Sequence, residues 1–315
     1  MTDADHARLL VEVSRDYYLD NRSKVDIAST RGISRFQVAR LLAEARESGV
    51  VRIEISPPAS LDGDRATALA RRLGTRDVVI VPSAADPRST RDSAARAIAR
   101  ELAARIRSGM TVGVSWSRTI EIAVGLLEAL PPCEVVQLVG ALSVAGAGDS
   151  LALIERFRGI PGVSTRPVWS PMLVGDPATA AGMRRQPEIA AALDRADHLD
   201  LAVVAVGAWS ANGSTVYPLV SEEDRRAATT AGTVAECSGR LLDAAGRPVT
   251  TELDARVVGV TVDQLARTAE VVAVGYGAHT APALRAAVAG IGVTTLVCDE
   301  AAAAALEELL EPATA

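Results

Sequence analysis

The sequence contains a single lysine, Lys24; every other basic side chain among its 33 lysines and arginines is arginine. Past residue 24, therefore, no lysine can form an imine with a carbonyl substrate. Aromatic side chains make up only 3% of the chain, so a large core must be built from aliphatic residues. Three cysteines, Cys133, Cys237 and Cys298, are scattered and odd in number. They fit no disulfide framework and no paired metal spacing, and read as reduced apolar thiols in a cytoplasmic protein. The histidines, His6, His198 and His279, lie far apart and suggest no metal site. No cofactor is expected. No stretch offers the roughly 20 apolar residues of a membrane span. The first 20 residues are studded with Asp3, Asp5, Arg8, Glu12, Arg15, Asp16 and Asp20, which excludes a secretory signal. A membrane partner is not expected.

What is present is enough chain, 315 residues with 49% hydrophobic content, for a small domain joined to a large one. The net charge of −6 argues at first against nucleic acid. Its distribution argues the other way. Between residues 24 and 46, Lys24, Arg31, Arg35, Arg40 and Arg46 outnumber Asp26 and Glu44.

That basic stretch reads as helices. The first spans about residues 5–20, with Leu9, Leu10, Val13 and Tyr17 on one face. The second is capped by Ser23 and runs to about Thr30. After Gly32-Ile33-Ser34, a tight turn, Ser34 and Gln37 form a capping box that starts a third. The third helix directs Val38, Leu41, Leu42 and Ala45 inward and stops near Ser48-Gly49. Val50–Ile55 alternates like a strand, and Ser56-Pro57-Pro58 breaks it. The domains expected are 1–55, a linker at 56–60, and 61–315.

Two short helices joined by a glycine turn form a helix-turn-helix, whose second helix enters the major groove of double-stranded DNA. Arg35, Phe36, Gln37 and Arg40 then face base edges, with Ser34 at the helix start. Ser23, Lys24, Arg31 and Arg46 are better placed for phosphates.

From residue 61 onward, helices alternate with apolar strands. Strands are expected at Asp77–Val81, Met110–Val114, Glu134–Val139, Leu199–Val206, Glu270–Val274 and Thr294–Cys298. Unbroken Val/Ile/Leu runs indicate a parallel sheet covered on both faces, hence an α/β fold. The loop Ser115-Trp116-Ser117-Arg118-Thr119 joins a strand to a helix, at the sheet edge where such folds bind ligands. Its hydroxyls and the helix start suit a polyol or phosphate, and Arg118 can clamp an anion. Gly140, Gly207 and Gly277 stand at other strand ends, with His279 in a neighbouring loop. Asp243 and Glu300 are candidate hydroxyl acceptors. Gly275-Tyr276-Gly277 lacks the third glycine of a dinucleotide site.

The run from Leu19 to Ala28, then Gly32-Ile33-Ser34-Arg35, Arg40-Leu41-Leu42, Glu44-Ala45-Arg46 and Gly49-Val50-Val51-Arg52-Ile53, resembles the N-terminus of the SorC family of sugar-binding transcriptional regulators. Gly113-Val114-Ser115-Trp116-Ser117-Arg118-Thr119 resembles that family's G-V-S-W-G-R-T loop. Val136-Gln137-Leu138-Val139-Gly140 is similar to its V-Q-L-x-G segment. Later matches are Ser221-Glu222-Glu223, Gly239-Arg240, the run Asp243–Pro248, and Val297–Ala301.

The resemblance implies an N-terminal winged helix-turn-helix and a Rossmann-like α/β effector domain. That domain would resemble the ribose-5-phosphate isomerase and glucosamine-6-phosphate deaminase fold. It further implies a DNA-bound dimer or tetramer that responds to a sugar, polyol or sugar phosphate.

Two departures matter. Many members of the family place a lysine where Thr280 stands, and some sugar-phosphate binders place one where Val139 stands. Their absence argues against an isomerase-type enzyme with an accessory helical domain, and favours a neutral ligand over a phosphorylated one. A pure interaction module with a vestigial pocket is the third reading.

Overall fold

The computed structural model describes residues 3–51, 63–144 and 148–311. The chain divides into two compact units, Met1–Pro58 and Ala59–Ala315.

The first unit holds α1 (Asp3–Tyr18), α2 (Lys24–Arg31) and α3 (Arg35–Glu47). Its helix ends follow from local hydrogen bonding. Ser23 Oγ accepts from Asp26 N at 3.2 Å and starts α2. Gly32, at φ +64°, ends α2 in the left-handed conformation that costs a side-chain-bearing residue most. Ser34 Oγ accepts from Gln37 N at 3.1 Å, and Gln37 Oε1 accepts from Ser34 N at 2.8 Å, closing the capping box of α3. Leu10, Val13, Ile27, Val38, Leu41, Leu42 and Ala45 form the core. This is the inward face expected from helical spacing. Of the strand expected over Val50–Ile55, only Val50 and Val51 are described, and there the backbone bends. The rest of that strand, the wing and the linker at 56–60 lie outside the described residues.

The second unit runs α4 (Gly63–Leu73), β1 (Asp77–Val81), α5 (Pro87–Arg105), β2 (Thr111–Val114), α6 (Arg118–Gly125) and β3 (Cys133–Gln137). A short ribbon, β4 (Ser143–Val144) with β5 (Gly148–Asp149), precedes α7 (Ser150–Arg158) and β6 (Val163–Arg166). Then come α8 (Pro177–Arg184), α9 (Pro187–Arg195), β7 (Leu201–Ala208), α10 (Glu222–Thr230), β8 (Thr233–Cys237) and β9 (Arg240–Asp243). The unit finishes with α11 (Glu252–Arg256), α12 (Val262–Ala266), β10 (Glu270–Val274), α13 (Ala281–Ile291), β11 (Thr295–Asp299) and α14 (Glu300–Leu309).

Seven strands form one parallel sheet in the order β1-β11-β10-β7-β2-β3-β6. Alternate residues serve opposite faces. Ala202, Val204, Val271, Ala273, Leu296 and Cys298 pack with α4, α9, α12, α13 and α14. Leu201, Val203, Val272, Val274 and Val297 pack with α5, α6 and α7. Both faces are thus buried, the physical reason these strands read as unbroken apolar runs. All six expected strands are present, with ends shifted by a few residues. Among the described residues no helix is long and apolar enough to cross a membrane.

The strand order carries the functional geometry. From β2 the chain moves outward to β3 and β6. It then returns to β7, beside β2, and moves the other way through β10 and β11. The direction of winding reverses between β2 and β7, which opens a crevice at the carboxyl ends of those strands. The last three residues of β7, Val206–Ala208, pair antiparallel with β8, and β8 with β9. This hairpin folds over the crevice on its own apolar cluster, which includes Trp209, Val216, Ala228, Leu241 and Leu253.

Candidate functional site

A cavity of about 760 Å³ occupies that crevice. Its walls come from loops after β1, β2, β3, β7, β10 and β11, with the β8–β9 hairpin closing one side.

The loop after β2 is set by its own chemistry. Ser117 Oγ accepts from Ile120 N at 3.1 Å and caps α6. The Trp116 indole N–H donates to Glu121 Oε2 at 3.1 Å, which pins the ring against the helix it precedes. Ser115 and Thr119 are buried, and the Arg118 side chain is exposed. Ser115, Trp116, Ser117, Arg118 and Thr119 all line the cavity, as do Gly140, Gly207, Gly277 and His279. At Gly140 the fold requires glycine. A Cβ there would stand 2.5 Å from the carbonyl oxygens of Ser170 and Pro171.

Three other expected residues lie elsewhere. Gly113 is inside β2, and the space a Cβ would need is filled by Leu138 and Leu199. Glu300 opens α14 and accepts from Ser83 N at 3.1 Å, so it braces the loop after β1. Asp243 is outside the cavity lining. It accepts from Ala245 N and Arg247 N, each at 2.9 Å, and holds the turn that follows β9. Its candidacy as a hydroxyl acceptor fails on position.

One carboxyl that does line the cavity is Glu236, on β8. It was not anticipated from the sequence. The residue is 7% exposed, with Oε1 accepting from Gly239 N at 2.7 Å and Oε2 from Ser214 Oγ at 3.0 Å. Burial pushes its carboxyl above the usual range, and the two hydrogen bonds only partly oppose that. A carboxyl raised in this way binds more protons folded than unfolded between its ordinary and raised values. Stability therefore falls as pH climbs through that window. Glu236→Gln should abolish this dependence. Thermal unfolding of both proteins, from the ordinary carboxylate range to mildly alkaline pH, should show the parent losing ground to the variant. Parallel curves would refute it.

The loop after β1 also belongs to the site. Ser83 Oγ donates to Asp299 Oδ2 at 2.7 Å, and Asp299 Oδ1 accepts from Gly277 N at 2.8 Å. The buried Asp299 thus ties three loops into one rim. No group of histidine, cysteine and carboxylate side chains suited to a metal occurs among the described residues. Burial raises the thiols of Cys237 and Cys298 to about 12, so neither is a nucleophile.

On the three-helix unit the expected DNA-facing residues sort into two groups. Arg31 is committed internally. It reaches Asp16 at 2.7 Å and Glu12 at 2.6 Å, tying α2 to α1, and its hydrogen bond is the main reason the Glu12 carboxyl is lowered. This corrects its assignment to phosphates. Ser23, Ser34 and Gln37 are engaged as caps. Lys24, Arg35, Arg40 and Arg46 are exposed and enter no ion pair among the described residues. Phe36 is 73% exposed, with the Arg35 guanidinium 4.9 Å from its ring centre.

Residues 58–307 match the family described as "Putative sugar-binding domain". The chain is 28% identical over 305 residues to the transcriptional regulator LsrR of Klebsiella pneumoniae, covering 95% of this chain and 92% of that protein. It is 26% identical over 310 residues to the deoxyribonucleoside regulator of Bacillus subtilis, covering 96% and 98%. The full-length sorbitol operon regulator SorC from Klebsiella pneumoniae shares its fold. That structure superposes with a TM-score of 0.72 at 20% identity, over 98% of this chain and 100% of that one. With a matched sugar-binding domain behind an N-terminal three-helix unit, and regulators aligned along nearly its full length, the chain belongs to the SorC/DeoR-type family of sugar-binding transcriptional regulators.

Proposed function

We propose that the three-helix unit is a helix-turn-helix that binds operator DNA, and that the cavity binds a sugar, polyol or sugar phosphate controlling that binding. The regulated genes would serve uptake or breakdown of such a compound, and the protein would act in the cytoplasm as a homo-oligomer. The observation that carries this reading is the cavity at the reversal of strand order. It is lined by serine and threonine hydroxyls and a buried carboxyl suited to a polyhydroxylated ligand. The same strand order supports a Rossmann-like domain of the isomerase and deaminase kind. A binding role, rather than catalysis, is supported by the missing lysine and by relatives named as regulators.

The ligand need only bind two arrangements of the oligomer unequally to change DNA affinity. A thermal-shift screen of sugars, polyols and their phosphates tests this. A ligand at 100 times its Kd stabilises the state it binds by about 2.7 kcal/mol. If no such compound raises the unfolding midpoint, the sensor reading fails.

At the DNA end, Arg35 and Arg40 are the exposed guanidiniums in the first half of α3, and neither enters an ion pair among the described residues. Arg35→Ala and Arg40→Ala should each weaken operator binding by about 1–3 kcal/mol and relax sequence preference at one position. Lys24→Ala should instead weaken binding to all sequences and reduce the salt dependence. Titrations against the protein's operator at several salt concentrations separate these outcomes. Unchanged binding by both arginine variants would sink the assignment.

A further inference from the structure

Beside the main cavity lies a second pocket, of about 600 Å³, that nothing above assigns. It is lined by Asp86, Arg88, Arg91, Arg118, Glu121 and Arg156, with Pro87 and Ile122 between them. Four guanidiniums thus face two carboxylates. Both carboxylates are already engaged. Asp86 caps α5, accepting from Arg88 N at 3.1 Å and Ser89 Oγ at 3.3 Å. Glu121 accepts from Trp116 and stands 3.8 Å from Arg156. Arg91 donates to the hydroxyl of Tyr276 at 3.0 Å. The Arg88 and Arg118 side chains make no hydrogen bond or ion pair among the described residues.

Two helix starts add to the positive field, since residues of the first turns of α5 and α6 both line the pocket. Arg91 and Arg118 also line the main cavity, so the two spaces share a wall. Guanidiniums are planar forks that match phosphate oxygens two at a time. We propose that this pocket binds a tetrahedral oxyanion, a phosphate held by Arg88, Arg118 and Arg156, arriving either as free phosphate or as the ester end of the ligand in the main cavity. The second source rests on the sugar-sensor reading; the first does not. Only if the anion arrives on the ligand would the expectation of a neutral ligand, drawn from the missing lysines, be reversed. The cationic groups come from α5, α6 and α7 instead of the positions of Val139 and Thr280.

The test is thermal unfolding of the full chain in inorganic phosphate against chloride at matched ionic strength. Parent protein should show a saturable rise of several degrees. Arg88→Gln and Arg156→Ala, neither residue lining the main cavity, should each lose most of it while keeping the parent's midpoint in chloride. No saturable rise in the parent, or an undiminished rise in both variants, overturns the proposal. Ribose and ribose 5-phosphate, as representative parent and ester, identify the source. If the ester saturates the response so that inorganic phosphate adds nothing, the anion arrives on the ligand; if the two effects add, it arrives free. Should the wider sugar, polyol and ester screen fail while phosphate still stabilises, the sensor reading falls and the anion pocket stands.

Discussion

Arg240→Met should lower the unfolding free energy of the large unit by about 3–5 kcal/mol. The Arg240 side chain is 7% exposed, and its guanidinium satisfies four oxygens from one short segment. Nε donates to Val260 O at 2.7 Å and Nη2 to Gly259 O at 3.0 Å. Nη1 donates to Asp254 O at 3.0 Å and to its carboxylate at 2.8 Å. Methionine fills comparable volume but offers no donor, so the carbonyls of Gly259 and Val260 and the Asp254 carboxylate lose this donor together, while Asp254 O keeps Val257 N at 3.3 Å. The segment so held bridges to the end of β3 through Val139 and Gly259, and to Leu173 through Val257. Its loosening should also weaken ligand binding, because the same hairpin carries Glu236. Arg240→Lys should rescue little, since one ammonium cannot span the four oxygens. Denaturant unfolding measures the loss, and a change below about 1 kcal/mol would mean that water replaces the guanidinium without cost.

Gly290→Ala should also destabilise, and here the sign is the informative quantity. Within a helix, alanine is ordinarily favoured over glycine by about 1 kcal/mol. A Cβ on Gly290, however, would collide with the carbonyl oxygen of Gly246. The contact is mutual. A Cβ on Gly246, itself at φ +78°, would stand 2.6 Å from Ala286 O and Gly290 N. Two backbones meet here with no space for a side chain, so relief requires moving either α13 or the turn after β9. Overpacking of this kind costs about 1–3 kcal/mol, and a backbone obstacle belongs at the upper end. A stabilised Gly290→Ala would show that the turn yields easily. Because Asp243 organises that turn, its matching segment in the sequence has a structural explanation that needs no ligand.

The expectations taken from sequence succeed and fail for identifiable reasons. Strands buried on both faces announce themselves as apolar runs, so β2, β3, β7, β10 and β11 were legible; β1, a partly buried edge strand, was legible because it still reads Val-Val-Ile-Val. Strand β6 lies at the opposite edge, is only partly buried, and reads Val-Ser-Thr-Arg, which is no apolar run. The β8–β9 hairpin turns on Ser238 and Gly239, both at positive φ, and Ser238 is not a residue that signals such a turn. That is why Glu236 was missed and Asp243 preferred. Both are isolated carboxylates, and only the register of β8 against β7 turns one into the cavity. The capping of α2 and α3 was legible because its signals lie within four residues of each other. The engagement of Arg31 with Asp16 and Glu12 spans 15 and 19 residues and was not.

The cavity draws its walls from residues 83 to 301, through loops that follow six different strands. No contiguous fragment of the domain carries more than part of it. Because β1 pairs with β11, the first and last strands of the domain meet only when the last strand docks. Contacts of such long sequence separation form late and slowly. If the cavity is the ligand site, a nascent or truncated chain should be blind to the ligand, and ligand protection against proteolysis would report completion of the fold itself.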